Sequence, residues 1–315
     1  MQTRKLGNSD LMVSAVGLGG NNFGGRIDLA AARAVVHKAL DLGITLIDTA
    51  DSYGNRGGSE EVLGQILGTR RNEIVLATKF GLQMDHAGLL KGASRGYIMR
   101  AVEASLTRLR TDRIDLYRLH RPDLSSPIEE TLRALHDLVQ QGKVRYIGCS
   151  NLSAKALGAA QEIAHARGLT AFVCCQDEYS LLERGIEREL LPAIRARGLG
   201  LLPYFPLASG FLTGKYVRGA PLPPGARLSK NTAHAADFIT EHNWSVVEAL
   251  SKFSVRQSRS LIELAFGWLL GHPEVTSVIA GATSAEQVEA NARAAGWQLS
   301  ADELAEVDRL TRAAG

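Results

Sequence analysis

Four residues with complementary chemistry lie within the first 120 positions: Asp48, Tyr53, Lys79 and His120. Asp48, Lys79 and His120 each follow a short apolar run, and Tyr53 comes five residues after Asp48 in a glycine-containing stretch. An acid, a phenol, an amine and an imidazole together suit proton transfer to a carbonyl oxygen. A free phenol titrates near pH ~10 and is a weak acid at neutral pH. A neighbouring ammonium favours the phenolate, a carboxylate keeps that ammonium charged and oriented, and an imidazole can polarise the same oxygen. Singly, each residue has an ordinary reading as turn former, packing ring, solvated amine or structural imidazole. Their joint placement argues for a site. The chain carries no G-x-S-x-G elbow and no HExxH or His-rich spacing, so neither a nucleophile nor a metal is expected. A proton donor without either implies a cofactor that brings the reducing equivalent.

The elements that must position these groups are legible as eight short apolar runs. They are Ala15–Leu18, Thr45–Ile47, Ile74–Thr78, Leu116–Leu119, Val144–Gly148, Phe172–Cys175, Gly200–Pro203 and Ser277–Ala280. Stretches with helical period separate them, among them Leu29–Leu42, Glu60–Leu67, Arg100–Leu109, Ile128–Val139, Ala154–Ala166, Ile186–Ala196 and Leu261–Leu270. Eightfold alternation with runs apolar on both faces predicts one (β/α)8 barrel domain over residues 1–315, with extra helices. Thr3–Gly7 and Leu11–Ser14 predict a hairpin that plugs the barrel bottom. Residues 216–240, rich in Pro and Gly, predict a long functional loop after the seventh strand. In such a barrel the active site lies at the C-terminal strand ends, where the four residues stand.

The other strand ends supply a cofactor's needs. Ser150, Asn151 and Gln176 offer amide-binding groups, and Tyr204 with Phe205 offers an aromatic face. Together they suit a nicotinamide ring and its carboxamide. Residues 206–215 form a small, Gly-rich segment ending in Lys215, suited to a pyrophosphate. Residues 281–287 open a helix, whose N-terminus is a second phosphate site. A Rossmann fingerprint is absent: GLGGNN at 17–22 has Asn at the third glycine position.

Composition agrees with a soluble enzyme. The 315 residues hold 36 basic and 33 acidic side chains, a formal charge of +3, with 45% hydrophobic and 22% charged residues. No Lys/Arg block suggests nucleic acid, and the longest apolar stretch is broken by Pro203 and Pro206, which argues against a membrane span. Three cysteines without CxxC spacing point to a reduced compartment, so a cytoplasmic location is expected.

The order and spelling of eight blocks resemble the aldo-keto reductase superfamily. They are GITLIDTADSYG (43–54), SEEVLG (59–64), ATKFG (77–81), DLYRLHRPD (115–123), GKVRYIGCSN (142–151), QDEYSLL (176–182), LASGFLTGKY (207–216) and GATSAEQVEAN (281–291). The resemblance spans nearly the whole chain and is nearest to the bacterial branch that includes potassium-channel β-subunit-like proteins. It implies a catalytic tetrad of Tyr53 as proton donor, His120, Lys79 and Asp48. It also implies carboxamide contacts from Ser150, Asn151 and Gln176, and ring stacking on Tyr204. Pyrophosphate contacts carry over to Leu207, Ala208, Ser209 and Lys215, and adenosine-phosphate contacts to Gly281, Thr283, Gln287 and Asn291. Phe23, Phe80, Met84 and Arg121, with Tyr53 and His120, are expected to line the substrate pocket.

Departures from the family pattern are Phe205 for a usual Ser, Ala290 for Glu, and Asn21 for an aromatic or Thr. Gly281 and Gln287 replace a Lys and an Arg that bind a 2′-phosphate elsewhere in the superfamily, leaving Lys215, Arg227 and Thr283 for that task. The expected function is NADP(H)-dependent interconversion of small-molecule carbonyls and alcohols, with NAD(H) as the other cofactor. One alternative is an NAD-linked alcohol or sugar dehydrogenase. Another is a nucleotide-sensing regulatory protein, from which retention of His120 separates this chain. Oligomeric state is left open.

Overall fold

A computed structural model describes residues 1–229, 235, 236 and 238–312. Its centre is a sheet of eight parallel strands. They are β3 (Val16–Gly19), β4 (Leu46–Asp48), β5 (Val75–Phe80), β6 (Ile114–Leu119), β7 (Val144–Ser150), β8 (Cys174–Glu178), β9 (Gly200–Tyr204) and β10 (Val278–Gly281). The strands are paired in chain order with β10 against β3. Leu201 of β9 closes the ring: its N–H donates to the Glu274 carbonyl at 2.7 Å, and its own carbonyl accepts from Thr276 N–H at 2.9 Å. The fold is therefore the expected (β/α)8 barrel, and each of the eight apolar runs becomes a strand with its ends moved by a few residues. Helices cover the outer face, so β5 and β6 are buried along their whole length. This is why the runs read as continuously apolar rather than alternating.

Between the strands run α1 (Leu29–Asp41), α2 (Tyr53–Leu67), α3 (Arg95–Leu109), α4 (Ile128–Gln140), α5 (Ala154–Ala166), α6 (Leu190–Ala196), α7 (Glu241–Arg256), α8 (Leu261–Leu270), α9 (Ala285–Ala294) and α10 (Ala301–Arg312). Helix α1 buries Ala32, Val35, Val36 and Ala39 and is started by Asp28, whose carboxylate accepts the Ala31 N–H at 2.8 Å. Helix α8 begins with a capping box between Ser260 and Glu263. The helical stretch expected over Ile186–Ala196 is split: Gly185–Glu187 forms a 3-10 turn and α6 begins only at Leu190. There the Glu187 carboxylate is drawn to Arg184 and to the Tyr179 hydroxyl at 2.7 and 2.8 Å. The extra helices are α7 and α10.

The N-terminal hairpin, β1 (Thr3–Lys5) with β2 (Met12–Ser14), seals the bottom as expected. Leu6, Leu11 and Val13 pack inside against Leu46, Val75, Ala77, Leu116, Leu202 and Ile279. Gly7 has φ +55, and a Cβ there would lie 2.6 Å from Gly200 N, so only glycine lets the hairpin approach β9 this closely. After β9 a kinked 3-10 segment, Ala208–Thr213, leads into the long loop. Residues 230–234 and 237 of that loop lie outside the described residues.

Candidate active site

Strand alternation decides which residues of each strand face the barrel interior. Asp48 ends β4, Lys79 stands near the end of β5 and His120 follows β6, so their side chains meet inside the C-terminal mouth. Lys79 is fully buried, and its ammonium has three acceptors: Asp48 Oδ2 at 2.8 Å, Asp48 Oδ1 at 3.0 Å and the Thr49 carbonyl at 2.9 Å. Three donors meet three acceptors, so the buried cation is satisfied. Burial pulls the amine below its ordinary range, opposed by the Tyr53 hydroxyl within its reach.

Tyr53 lies above this pair. Lys79 Nζ is 5.0 Å from the centre of the Tyr53 ring, and the His120 ring stands edge-on to it, centroids 5.7 Å apart at 81°. Burial, then the positive charges of Lys79, Arg118 and Arg121, drive the His120 imidazole down to about 2. It is therefore neutral at physiological pH and can offer an N–H to an uncharged oxygen. The residues after Tyr53 turn sharply: Gly54, Asn55, Arg56 and Gly57 all have positive φ, and helix α2 becomes regular only beyond them. That turn presents the phenol to the mouth instead of burying it in the helix.

A cavity of about 710 Å³ opens over these groups. This lies within the usual range of ligand pockets, ~300–1,000 Å³. Asp48, Tyr53, His120 and Arg121 line it, as do Ser150, Asn151, Gln176 and Tyr204. Leu207, Ser209, Lys215, Arg227, Gly281, Thr283, Gln287 and Asn291 of the expected set line it as well, while Lys79 lies beneath Asp48. Other expected residues are not brought there. Ala208 is buried beneath the segment. Phe23 is enclosed under the first strand loop, and Phe80 faces outward, stacked on Tyr117 with centroids 4.7 Å apart. Met84 lies in the loop after β5, its N–H bonded to Leu90 O at 2.8 Å. The parity of β5 explains Phe80: with Lys79 inward, its neighbour must point out.

Ser150, Asn151 and Gln176 form a trio that is internally organised. Asn151, at φ +60, donates to the His120 carbonyl at 3.0 Å and to Ser150 Oγ at 2.9 Å, while its Oδ1 accepts from the Tyr204 hydroxyl at 2.8 Å. Ser150 in turn donates to Gln176 O at 2.8 Å, and Gln176 Nε2 donates to Asp48 Oδ2 at 3.1 Å. The trio is thus wired to the tetrad.

Four cations line the same cavity: Arg26, Arg121, Lys215 and Arg227. Among the described residues none of them forms an ion pair. Desolvation and the Arg26 charge pull both Lys215 and Arg227 below their ordinary ranges. Such unneutralised crowding suits a polyanionic ligand. Arg227 lies over the Phe205 ring at 4.6 Å, so the long loop does fold back to the cavity.

Sequence reasoning missed Arg26, Asn22 and Glu178, which also line the cavity, and Arg118, which lies beneath it. For Arg118 a signal existed: it stands two residues before His120 on one strand and therefore shares its face. Asn21 lines the cavity as a polar wall, and Asn22 donates to Ala282 O at 3.2 Å, tying the first loop to the last.

Comparison with known proteins matches residues 15–312 to the model of the Aldo/keto reductase family. The chain is 35% identical to an L-glyceraldehyde 3-phosphate reductase of Escherichia coli O157:H7, covering 98% of this chain and 92% of that one. It is 36% identical to a probable voltage-gated potassium channel subunit beta of Oryza sativa subsp. japonica, covering 93% and 91%. It is also 33% identical to the aldo-keto reductase YhdN of Bacillus subtilis, covering 98% and 93%. With the barrel and this rim of polar strand ends already in place, the chain belongs to the aldo/keto reductase family of carbonyl oxidoreductases.

Proposed function

We propose that the protein reduces aldehydes or ketones with NADP(H), Tyr53 giving the proton, or runs the reverse oxidation. The observation that carries this reading is the stack of Asp48, Lys79 and Tyr53, with neutral His120 beside the phenol. The cavity's size and its cations fit a dinucleotide. Ser150, Asn151 and Gln176 would hold the carboxamide, Tyr204 would lie against the ring, and Leu207, Ser209, Lys215 and Arg227 would hold the phosphates. Gly281, Thr283, Gln287 and Asn291 would hold the adenosine end. When bound, the cofactor supplies or accepts a hydride.

The protein's part is binding, orientation and proton movement. The His120 N–H and the Tyr53 hydroxyl converge on the substrate oxygen and polarise the carbonyl. As negative charge grows there, the phenol gives its proton. Lys79 stabilises the phenolate left behind, and Asp48 holds Lys79 in place. In the oxidative direction the phenolate takes the alcohol's proton.

Arg121 is placed beside His120 and favours substrates with an anionic group; one of the relatives reduces L-glyceraldehyde 3-phosphate by name. The test is to titrate NADPH and NADH separately against protein fluorescence, then to follow NADPH consumption with neutral and phosphorylated aldehydes. Turnover of an aldehyde that is lost in Tyr53→Phe supports the reading. Tight nucleotide binding with no turnover across the panel would favour a sensing role.

A further inference from the structure

Beneath Asp48 lies a second cation that the tetrad does not require. Arg118 of β6 is fully buried in the barrel interior, and its Nη2 donates to Asp48 Oδ1. Asp48 therefore carries two cations, Lys79 and Arg118, together with the Gln176 amide. The strand register puts Lys79, Arg118, Gly148 and Cys174 at one level on four neighbouring strands. The barrel is shaped to hold the arginine. A Cβ on Gly148 would lie 3.0 Å from Arg118 Cγ and 2.6 Å from Cys174 Sγ, so β7 leaves its place in the layer to the guanidinium stem.

Stability alone does not account for this residue. Burial of an ion without full pairing is unfavourable, and an apolar side chain of similar volume is often neutral or better. Arg118 Nε and Nη1 are buried without hydrogen-bond partners among the described residues. Desolvation pulls the guanidinium from its ordinary range to about 10, still charged at neutral pH. The core of the mouth thus holds one carboxylate and two cations, a surplus of one positive charge.

We propose that Arg118 is a positioning residue for proton transfer: by sharing Asp48 with Lys79, it leaves the lysine's charge less neutralised and favours the Tyr53 phenolate. The inference rests on Tyr53 as the proton-transferring group. Of the other groups facing Tyr53, Arg227 is also a cation, but it is common to the protein and its Arg118 variants, so their comparison isolates the Arg118 charge. His120 on the β6 side is neutral, Tyr204 from β9 is an uncharged phenol held up by burial, and Arg227 reaches over from the long loop. Asp51, in the loop that carries Tyr53, is held protonated by burial and by the Glu60 carboxylate.

The test reads Tyr53 ionisation directly, without cofactor or turnover, so it is separable from the function proposed above. Tyrosinate absorbance is titrated in the protein and in Tyr53→Phe, and their difference isolates Tyr53. Arg118→Gln, which keeps a donor for Asp48 but removes the charge, is expected to raise the Tyr53 midpoint by about one pH unit, the order set by one nearby charge. Arg118→Lys is expected to restore it. In alcohol oxidation the acid limb of the pH–rate profile should move with the same variants, in kcat more than in KM. If Arg118→Gln does not fold, Arg118→Met replaces it. A midpoint unmoved in whichever neutral variant folds overturns the proposal, and so does failure of both to fold, which would make Arg118 a structural residue.

Discussion

The two ends of the barrel interior are equally buried and oppositely built. At the bottom, Leu6, Leu11 and Val13 of the hairpin meet Leu46, Val75, Leu116, Leu202 and Ile279 in a layer that is mostly apolar, with the Ser277 and Thr276 hydroxyls beside it. Two residues beyond Leu46, Ala77, Leu116 and Cys174 on their strands, the interior holds Asp48, Lys79, Arg118 and Gln176. A closed barrel could fill both ends with aliphatic side chains, since its core is packed and not a pore. The apolar end gains from burial at every position. The charged end is tolerated because Lys79 and Asp48 are paired and hydrogen-bonded, while Arg118 bonds Asp48 and leaves Nε and Nη1 without partners among the described residues. The contrast separates positions that hold the fold from positions to which the proposed function gives the chemistry.

The largest effect is expected from Tyr53→Phe, which removes one hydroxyl from the charged end and almost no volume. Carbonyl reduction should fall by about 10²–10⁴-fold, the usual worth of a general acid, while nucleotide binding and the thermal midpoint stay near wild type. Steady-state kinetics with a fluorescence titration of cofactor check this, and activity within twofold of wild type would remove Tyr53 from its role. The mirror experiment is Leu46→Ala at the apolar end, two residues before Asp48. A cavity there should cost about 2–5 kcal/mol of stability, read by chemical denaturation, with kcat per folded molecule unchanged. A loss of kcat without a loss of stability would mean that the two layers are not separable.

The same contrast explains what was legible in the sequence. Apolar runs follow from burial on both faces, so all eight strands and the plugging hairpin could be read from them. The meeting of Asp48, Lys79 and His120 at one rim was legible because these polar residues interrupt those runs at corresponding ends. Side-chain direction was used too little. Parity along DLYRLH (115–120) puts Arg118 on the face of His120, and parity along ATKF (77–80) turns Phe80 away from Lys79. Phe23 and Met84 sit in loops, where no period applies, and their placement follows from tertiary packing alone. The split before α6 likewise depends on a tertiary contact, the Tyr179 hydroxyl on Glu187.

Between the two extremes stand Arg26, Lys215 and Arg227, cations that line the cavity; the proposed function assigns the last two to a ligand's phosphates. NADPH should bind more tightly than NADH, because Lys215 and Arg227, with Arg26 beside them, are available to a 2′-phosphate. A charge-assisted hydrogen bond contributes roughly 1.5–3 kcal/mol, so the preference should be about one to two decades in Kd. Lys215→Met and Arg227→Ala should each erode it, with thermal stability of the free protein unchanged or slightly raised, as like charges are separated. Both dissociation constants in all three proteins decide the matter. Equal affinities throughout would assign NAD and favour an alcohol-oxidising role.

The smallest expected effect tests the stability cost of charge near the mouth. Asp51 lies three residues after Asp48, almost wholly buried, and burial followed by the Glu60 carboxylate pushes its carboxyl up to about 8. Glu60 itself is occupied, accepting from Thr78 Oγ1 at 2.5 Å and from Arg108 Nε at 2.7 Å. In the unfolded chain Asp51 loses its proton near pH ~4. Between about pH 4 and 8 the folded state therefore holds a proton that the unfolded state has released, and this group's contribution falls as pH rises. Asp51→Asn keeps the shape and removes the titration. Relative to wild type it should gain little at pH 4.5 and progressively more as pH rises toward 8, a gap read from denaturation midpoints at the two pH values. A gap that is constant with pH would show that Asp51 is not held protonated, and that the wall beside Tyr53 accommodates a buried carboxylate without loss.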